Sequence, residues 1–388
     1  MTRDPIASII VTNYNYGRFL DQAIESALEQ TYPHVEVNVV DDGSTDDSWE
    51  IIAAYRDRVT AVSKENGGQS SALNAGFRVI SGEIVCFLDA DDVLLPSAMQ
   101  RAVDLLCEED VVKVHWPMWT IDAQGRKLGA SSSTSLADGD LRETARRYGP
   151  LIGSSPPTSG NAWSRHFLDE VLPLPEVEKN FGVGGAAPDD YLSFLASLSG
   201  TIRKTHEPQA MYRLHTGSDY SAQNVQERVR RSVQFVDHIC AAGIEYCRKR
   251  GIDADGDMWR RNSWFHKLFG AIEDIESCIP PGHVLVLADE AQWGTGDCLA
   301  GRRVLPFLER DGQYWGTPPD DATATQELER LRMERASFLV LGWPAFWWLE
   351  CYLRFHRYLR SHFSCLLENE RVVIFDLRAG GEGRCRQT

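Results

Sequence analysis

Three carboxylates fall within four positions at Asp89, Asp91 and Asp92, directly after the apolar run Ile84-Val85-Cys86-Phe87-Leu88. In an extended segment residues two apart share a face, so Asp89 and Asp91 can point together while Asp92 points away. Two carboxylates on one face repel unless a cation or hydrogen-bond donors lie between them. Oxygen ligands with no soft sulfur nearby suit Mg²⁺ or Mn²⁺, whose remaining positions go to water and phosphate oxygens. The plainer reading is a set of acids capping the helix that starts at Pro96, and a motif this short standing alone favours it. Its neighbours in the chain decide against that reading.

Those neighbours alternate strand and helix. "SIIVTNYN" reads as a β run, and "FLDQAIESALEQT" places Phe19/Leu20, Ala23/Ile24 and Ala27/Leu28 at helical spacing. "VEVNVVDDGST" and "VTAVSKEN" are two further strands, each followed by a helical stretch, and "EIVCFLDADD" is the fourth. This rhythm predicts an α/β fold with a doubly wound, mostly parallel sheet. In such a sheet ligands bind beyond the carboxyl ends of the strands. The four ends present Thr12-Asn13-Tyr14-Asn15, Asp41-Asp42-Gly43-Ser44, Lys64-Glu65-Asn66-Gly67-Gly68 and Asp89-Ala90-Asp91-Asp92. One polar strand end is an ordinary loop; four on one edge indicate a site.

The chain has 388 residues, 43% hydrophobic and 25% charged, which is ordinary soluble globular composition with length for two or three domains. A net charge of −16 argues against nucleic acid as a partner, although it leaves a metal-held nucleotide open. Nine scattered cysteines without paired spacing read as reduced core residues. No secretory leader and no run long enough to span a bilayer is recognisable, so a cytoplasmic protein is expected, with peripheral contact at the inner membrane face left open. The expected organisation is a first domain over 1–224, a helical connector over 225–279, a second small α/β domain of Rossmann-like type over 280–378 and a disordered tail over 379–388. The second domain lacks a GxGxxG after its first strand, so nothing supports a dinucleotide there.

"SIIVTNYNYGRFLDQAIESALEQTYPHVEVNVVDDGSTDDS", then "ENGGQSSALNAG", then "GEIVCFLDADDVLLP" resemble, in order and spacing, the family 2 glycosyltransferases of GT-A fold. The resemblance covers roughly residues 5–220, and it implies an inverting transfer from a nucleoside-diphosphate sugar, most commonly a UDP-sugar, to a sugar, lipid-linked or other hydroxyl acceptor. By position it implies donor contacts at Thr12, Tyr14, Asn15, Asp41 and Asp42. The next loop and helix start would add Lys64, Gly67, Gly68 and Asn74, and the fourth strand end Asp89 and Ala90. Asp91 would contact a divalent cation, Mn²⁺ or Mg²⁺. "MYRLHTGS" resembles the family's late metal-site segment, with His215 as a second ligand and Arg213 beside phosphate or the carboxylates. "APDDYLSFLASL" matches the acidic pair that supplies the catalytic base, here Asp189 and Asp190, with Asp190 favoured. Gly160, Asn161 and Trp163 fall where donor sugar or acceptor is contacted. Two other readings stand beside this one: a sugar nucleotidyltransferase, which would want a Gly-rich basic loop after the first strand, and a non-catalytic nucleotide-sugar or partner-binding protein.

Overall fold

The computed structural model describes residues 4–130, 136–150, 155–176, 188–215, 225–294, 299–380 and 386–387. They fall into two compact units, Met1–Ser221 with Gln234–Arg260, and Ala222–Val233 with Arg261–Thr388.

The first unit opens with β1 (Ala7–Asn13), α1 (Gly17–Leu28), β2 (Val35–Asp41), α2 (Ser48–Ala54), β3 (Thr60–Ser63), α3 (Gln69–Phe77), β4 (Ile84–Asp89), β5 (Val93–Leu94) and α4 (Ala98–Leu106). It continues with β6 (Val111–His115), β7 (Met118–Ile121), β8 (Lys127–Ala130), β9 (Gly139–Asp140) and α5 (Arg142–Tyr148). Then come β10 (Asn161–Ser164), α6 (Arg165–Val171), α7 (Pro188–Ser199), β11 (Thr201–Lys204) and β12 (Ala210–Arg213). An eight-stranded sheet has the order β3-β2-β1-β4-β10-β6-β11-β9, and a smaller one the order β5-β12-β7-β8. β3, β2, β1 and β4 run parallel, as their alternation with helices predicts, and β10 is inserted antiparallel between β4 and β6.

The apolar runs of β1 and β4 are explained by this order. Ile9, Ile10, Val11, Val85, Cys86 and Leu88 lose all solvent contact because both strands are central. α1 buries Phe19, Leu20, Ala23, Ile24 and Ala27, the stripe its spacing predicts. α3 lies so close to the sheet that a Cβ on Gly76 would meet Ile10 Cγ2 at 2.5 Å and Val40 Cγ2 at 3.1 Å.

The expected connector over 225–279 is not a separate body. Its helices are α8 (Val225–Lys249), α9 (Gly256–Asn262) and α10 (Trp264–Cys278), and their residues are shared out between the two units. Between α9 and α10 the helix breaks at Ser263, whose hydroxyl accepts from the His266 amide as an N-cap.

The second unit contains β13 (Val284–Ala288), β14 (Arg303–Pro306), β15 (Glu309–Arg310), β16 (Gln313–Tyr314), α11 (Asp321–Met333) and β17 (Phe338–Gly342). α12 (Trp347–Cys351), α13 (Leu353–His362), β18 (Phe363–Glu368), β19 (Val372–Gly380) and β20 (Arg386–Gln387) complete it. Its sheet has the order β14-β13-β17-β19-β18-β20, parallel through β17 and antiparallel at the β17–β19 and β18–β19 pairs, so the Rossmann-like expectation holds only for its first half. Trp348 is fully buried in this unit's core, as a packing role predicts. A disordered tail from 379 is also corrected: β19 runs to Gly380, and the free edge of β18 supplies backbone partners for Arg386 and Gln387. Among the described residues, no helix is long and apolar enough to cross a membrane.

Gly76→Val should overpack the α3–sheet contact and cost about 1–3 kcal/mol in urea unfolding. A variant as stable as the parent would show that the helix does not sit this close in solution.

Candidate functional site

The parallel register sets the strand ends level. Asn13 stands opposite Asp41, and Thr12 opposite Asp89. Asn13 Nδ2 donates to Asp41 Oδ1 at 2.9 Å and to Ser44 Oγ at 3.1 Å, while the Ser44 amide donates to Asp41 Oδ2 at 3.1 Å. Asn15, at φ 58°, accepts from the Thr45 amide at 2.7 Å and so ties the first strand's loop to the second's. Tyr14 between them is exposed. Asp41 and Asn15 are therefore braces of the rim, and Tyr14 is an exposed side chain on it.

Asp42 folds the next loop around itself. Its carboxylate accepts from Lys64 Nζ at 2.5 Å, from the Gly67 amide at 2.9 Å and from the Gly68 amide at 2.7 Å. Gly68 has φ +87°, a left-handed conformation that glycine adopts without strain. A side chain on Gly67 would strike Ser71 Oγ at 2.5 Å. The result is a tight backbone curve that leads into the amino end of α3.

The acidic motif divides into three roles. Asp89 Oδ1 accepts from Gln69 Nε2 at 2.8 Å and from Thr12 Oγ1 at 3.3 Å, and its amide donates to Ser159 Oγ at 3.1 Å. Burial, then the Asp91 charge, pushes its carboxyl up to about 7. Asp92 is buried, accepts from the Arg213 amide at 3.0 Å, and is pushed well above the usual carboxylate range by burial and then by Asp91 and Asp89. Asp91 keeps its side chain part-exposed and lies 3.0 Å from His215 Nε2. His215 Nδ1 in turn meets Arg18 Nη2 at 3.3 Å, and its ring packs between Tyr16 and Phe19, 5.4 and 5.1 Å away. An imidazole nitrogen and a carboxylate oxygen in contact are a donor set a hard divalent ion accepts, with most of its positions left for water or phosphate. Among the described residues no group of three or more His, Cys, Asp or Glu side chains is arranged to hold a metal.

Arg213, expected beside phosphate or the carboxylates, lies next to the acidic segment, but its guanidinium bonds backbone and amide oxygens and only its backbone amide meets a carboxylate, that of Asp92. Nε donates to the Asp91 carbonyl at 2.7 Å, Nη1 to the Asp122 carbonyl at 3.2 Å and Nη2 to Gln22 Oε1 at 2.6 Å, with the guanidinium 4.7 Å over the Phe19 ring. Its fork is spent on holding the Asp91-Asp92 segment in place.

The acidic pair lies at the start of α7. Asp189 is buried, and its carboxyl is pushed well up by burial and then by Asp190 and Asp89, so the two acidic clusters feel each other. Asp190 is half-buried. Beneath them Lys113 of β6 is fully buried, donating to Ser193 Oγ at 2.6 Å and Ser155 Oγ at 2.9 Å.

Four expected contacts prove to be structural. Both amide atoms of Asn74 are taken by Leu174, Nδ2 donating to its carbonyl at 2.8 Å and Oδ1 accepting from its amide at 2.7 Å. Asn161 Nδ2 donates to the carbonyls of Pro156, Pro157 and Thr158, closing the turn before β10. A Cβ on Gly160 would lie 2.6 Å from Pro156 Cβ, so that glycine permits packing. Trp163 is 1% exposed and stacks on Phe167 at 5.9 Å, a core side chain and no platform for a sugar. Ala90 is also buried and shows the site only its backbone. Sequence reasoning missed Gln69, Ser159 and Lys113. Gln69 follows the two glycines directly and was the one with a local signal; the other two reach the site only through strand pairing.

Residues 8–158 match the family Glycosyl transferase family 2. The chain is 35% identical over 218 residues to an uncharacterized glycosyltransferase of Nostoc sp., covering 55% of this chain and 66% of that one. It is 28% identical over 235 residues to an Escherichia coli protein named as a UDP-Glc:α-D-GlcNAc-diphosphoundecaprenol β-1,3-glucosyltransferase, covering 58% and 84%. Among solved structures, S. aureus TarS 1–349 with UDP-GlcNAc is similar at 18% identity and a TM-score of 0.49, covering 69% of this chain and 72% of that one. The chain thus spans just under two thirds of the length of the Nostoc relative.

Arg213→Lys keeps the charge but cannot reach the Asp91 and Asp122 carbonyls and Gln22 together. It should lower stability by about 1–3 kcal/mol in denaturant unfolding, since buried acceptors lose their donors. Unchanged stability would mean that the fork is not formed.

Proposed function

We propose that the chain, whose residues 8–158 match glycosyltransferase family 2, transfers a sugar from a nucleoside-diphosphate sugar to an acceptor hydroxyl with inversion at the anomeric carbon. The observation that carries this is the level alignment of the β1, β2 and β4 ends, with Asp89 within electrostatic reach of the acidic pair on α7. Such an arrangement supports a donor pocket next to a candidate base.

The donor's base and ribose lie along Tyr14 and the Lys64–Gly68 curve, on a rim that Asp41 and Asp42 hold in shape, where exposed aromatic surface offers stacking. Asp89, with Gln69 and Thr12 behind it, faces the ribose and sugar. Asp91 and His215 would hold a divalent cation, Mn²⁺ or Mg²⁺, which supplies charge neutralisation for the departing diphosphate. The named E. coli relative supports a UDP-sugar as donor.

Asp190 is the base. Asp189 is buried and pushed toward its protonated form, whereas Asp190 is only half-buried and so within reach of an acceptor. As the acceptor oxygen bonds to the anomeric carbon, its proton passes to the Asp190 carboxylate. The bond from that carbon to the diphosphate oxygen breaks on the opposite face, and the nucleoside diphosphate leaves with the electron pair. The acceptor is a sugar or lipid-linked hydroxyl.

A panel of UDP-, GDP- and TDP-sugars, assayed for binding and slow hydrolysis with Mn²⁺ and with a chelator, tests the assignment. Binding of at least one donor, weakened by chelator and by Asp91→Asn, is expected; no binding under any condition would sink it. Asp190→Asn should bind donor normally and lose transfer by about 10²–10⁴-fold, the usual contribution of a general base. Full transfer in that variant would remove Asp190 from the role.

A further inference from the structure

A lysine with no solvent contact needs a reason, because burying an unpaired ammonium is costly. Lys113 sits at 0% exposure in β6, between Trp163 of β10 and Ile202 of β11 in the sheet register. An ammonium has three protons to place. Two are met by Ser193 Oγ at 2.6 Å and Ser155 Oγ at 2.9 Å, and the Trp163 ring, with its centroid 5.0 Å from Nζ, offers its face as well. The pocket is thus built for a cation.

Ser193 is what makes this lysine relevant to chemistry. It lies on α7 three residues after Asp190 and four after Asp189, hence on the same helix face as the acidic pair, one turn on. A hydrogen bond from a rigid central strand to that position fixes the helix in rotation. Among the described residues, the charged and titratable groups around Lys113 are few. α7 brings Asp189 and Asp190, and β6 itself brings His115, whose Nε2 donates to the Ala137 carbonyl at 2.7 Å. Burial, then the Lys113 charge, pushes that imidazole down to about 3, so it stays neutral. On β11, Lys204 is turned away and donates to the Leu136 carbonyl at 3.2 Å. Lys113 itself is pulled down to about 7 by burial, with Asp189 and Asp190 drawing it back up. It is therefore cationic over the acid range in which a carboxylate base titrates.

We propose that Lys113 is the positioning residue of the acidic pair, locking the first turn of α7 in rotation through Ser193 and placing its positive charge on the side of the helix that carries Asp189 and Asp190. This rests on the reading of Asp190 as base. Trp163 and Ser155 gain a purpose from it: one gives the ammonium a face to lie against, the other a second acceptor.

Lys113→Met preserves length and removes the charge. In the full chain, with the donor identified above and its acceptor, kcat should fall about tenfold or more while the donor KM stays within about threefold, the pattern of a lost transition-state interaction. The acid limb of its kcat/KM profile should move to higher pH by about half a unit or more, since a carboxylate that loses a neighbouring cation protonates more readily. Ser193→Ala keeps the charge and removes only the tether: its kcat should drop about two- to fivefold with the acid limb in place. Parental kcat in Lys113→Met, or a lowered kcat with an unmoved limb, would overturn the role in favour of packing alone. Should Lys113→Met fail to fold, Ser193→Ala decides, and parental kcat there overturns the tether. Asp190→Asn run alongside separates the two readings, because full transfer in it rejects the base assignment whatever the Lys113 variants do.

Discussion

Repulsion among carboxylates is the constraint from which the first unit is built outward. Asp89, Asp91 and Asp92 emerge from the end of a central, buried strand of the sheet, with Asp42 following β2 and Asp189 within electrostatic reach. Each is compensated by a different device. Asp42 has a lysine and two backbone amides, Asp92 a single amide, Asp89 a side-chain amide and a hydroxyl, and Asp91 an imidazole. The compensation is graded: complete at Asp42, partial at Asp89 and Asp92, whose carboxyls are driven upward. An unmet acceptor in a low-dielectric setting is a place where a ligand's protons or a cation gain most.

The polar residues of the strand ends separate into two groups by what their atoms already touch. Arg213, Asn15, Asp41 and Asp42 are occupied by the chain itself and define the shape of the rim. Tyr14, Gln69, Asp89 and Asp91 retain exposed surface and define its chemistry. A single arginine reaching three elements does more for the geometry of the acidic segment than any direct contact with a substrate could.

How much of this is legible in the sequence depends on the range of the interaction. Strand ends and helices are written in local periodicity and in residues a few positions apart, and they stand where the pattern places them, while the acidic pair is singled out by family resemblance alone. Asn74 and Trp163 deceive because nothing local separates a polar or aromatic side chain facing a ligand from one facing the core. Asn74 meets Leu174, a hundred positions away, and Trp163 packs on Lys113 and Phe167. Lys113 is invisible for the same reason: in "VVKVHW" it reads as a polar interruption of a strand, and only the pairing of β6 with β10 and the packing of α7 show that it is enclosed. The tail beyond 379 was misjudged from composition, since glycine and arginine content says nothing about a vacant strand edge nearby.

The level register of β1, β2 and β4 has an implication for how the domain tolerates change. Because facing alternates along a strand, one residue gained or lost inside β1 would exchange Thr12 for Asn13 opposite Asp89 and turn Ile9 and Val11 to the other face. The loops between helix and strand bear no such phase. Length variation should therefore collect in those loops and in α2, whose buried residues are few, while the three strands behave like the fixed teeth of a gauge.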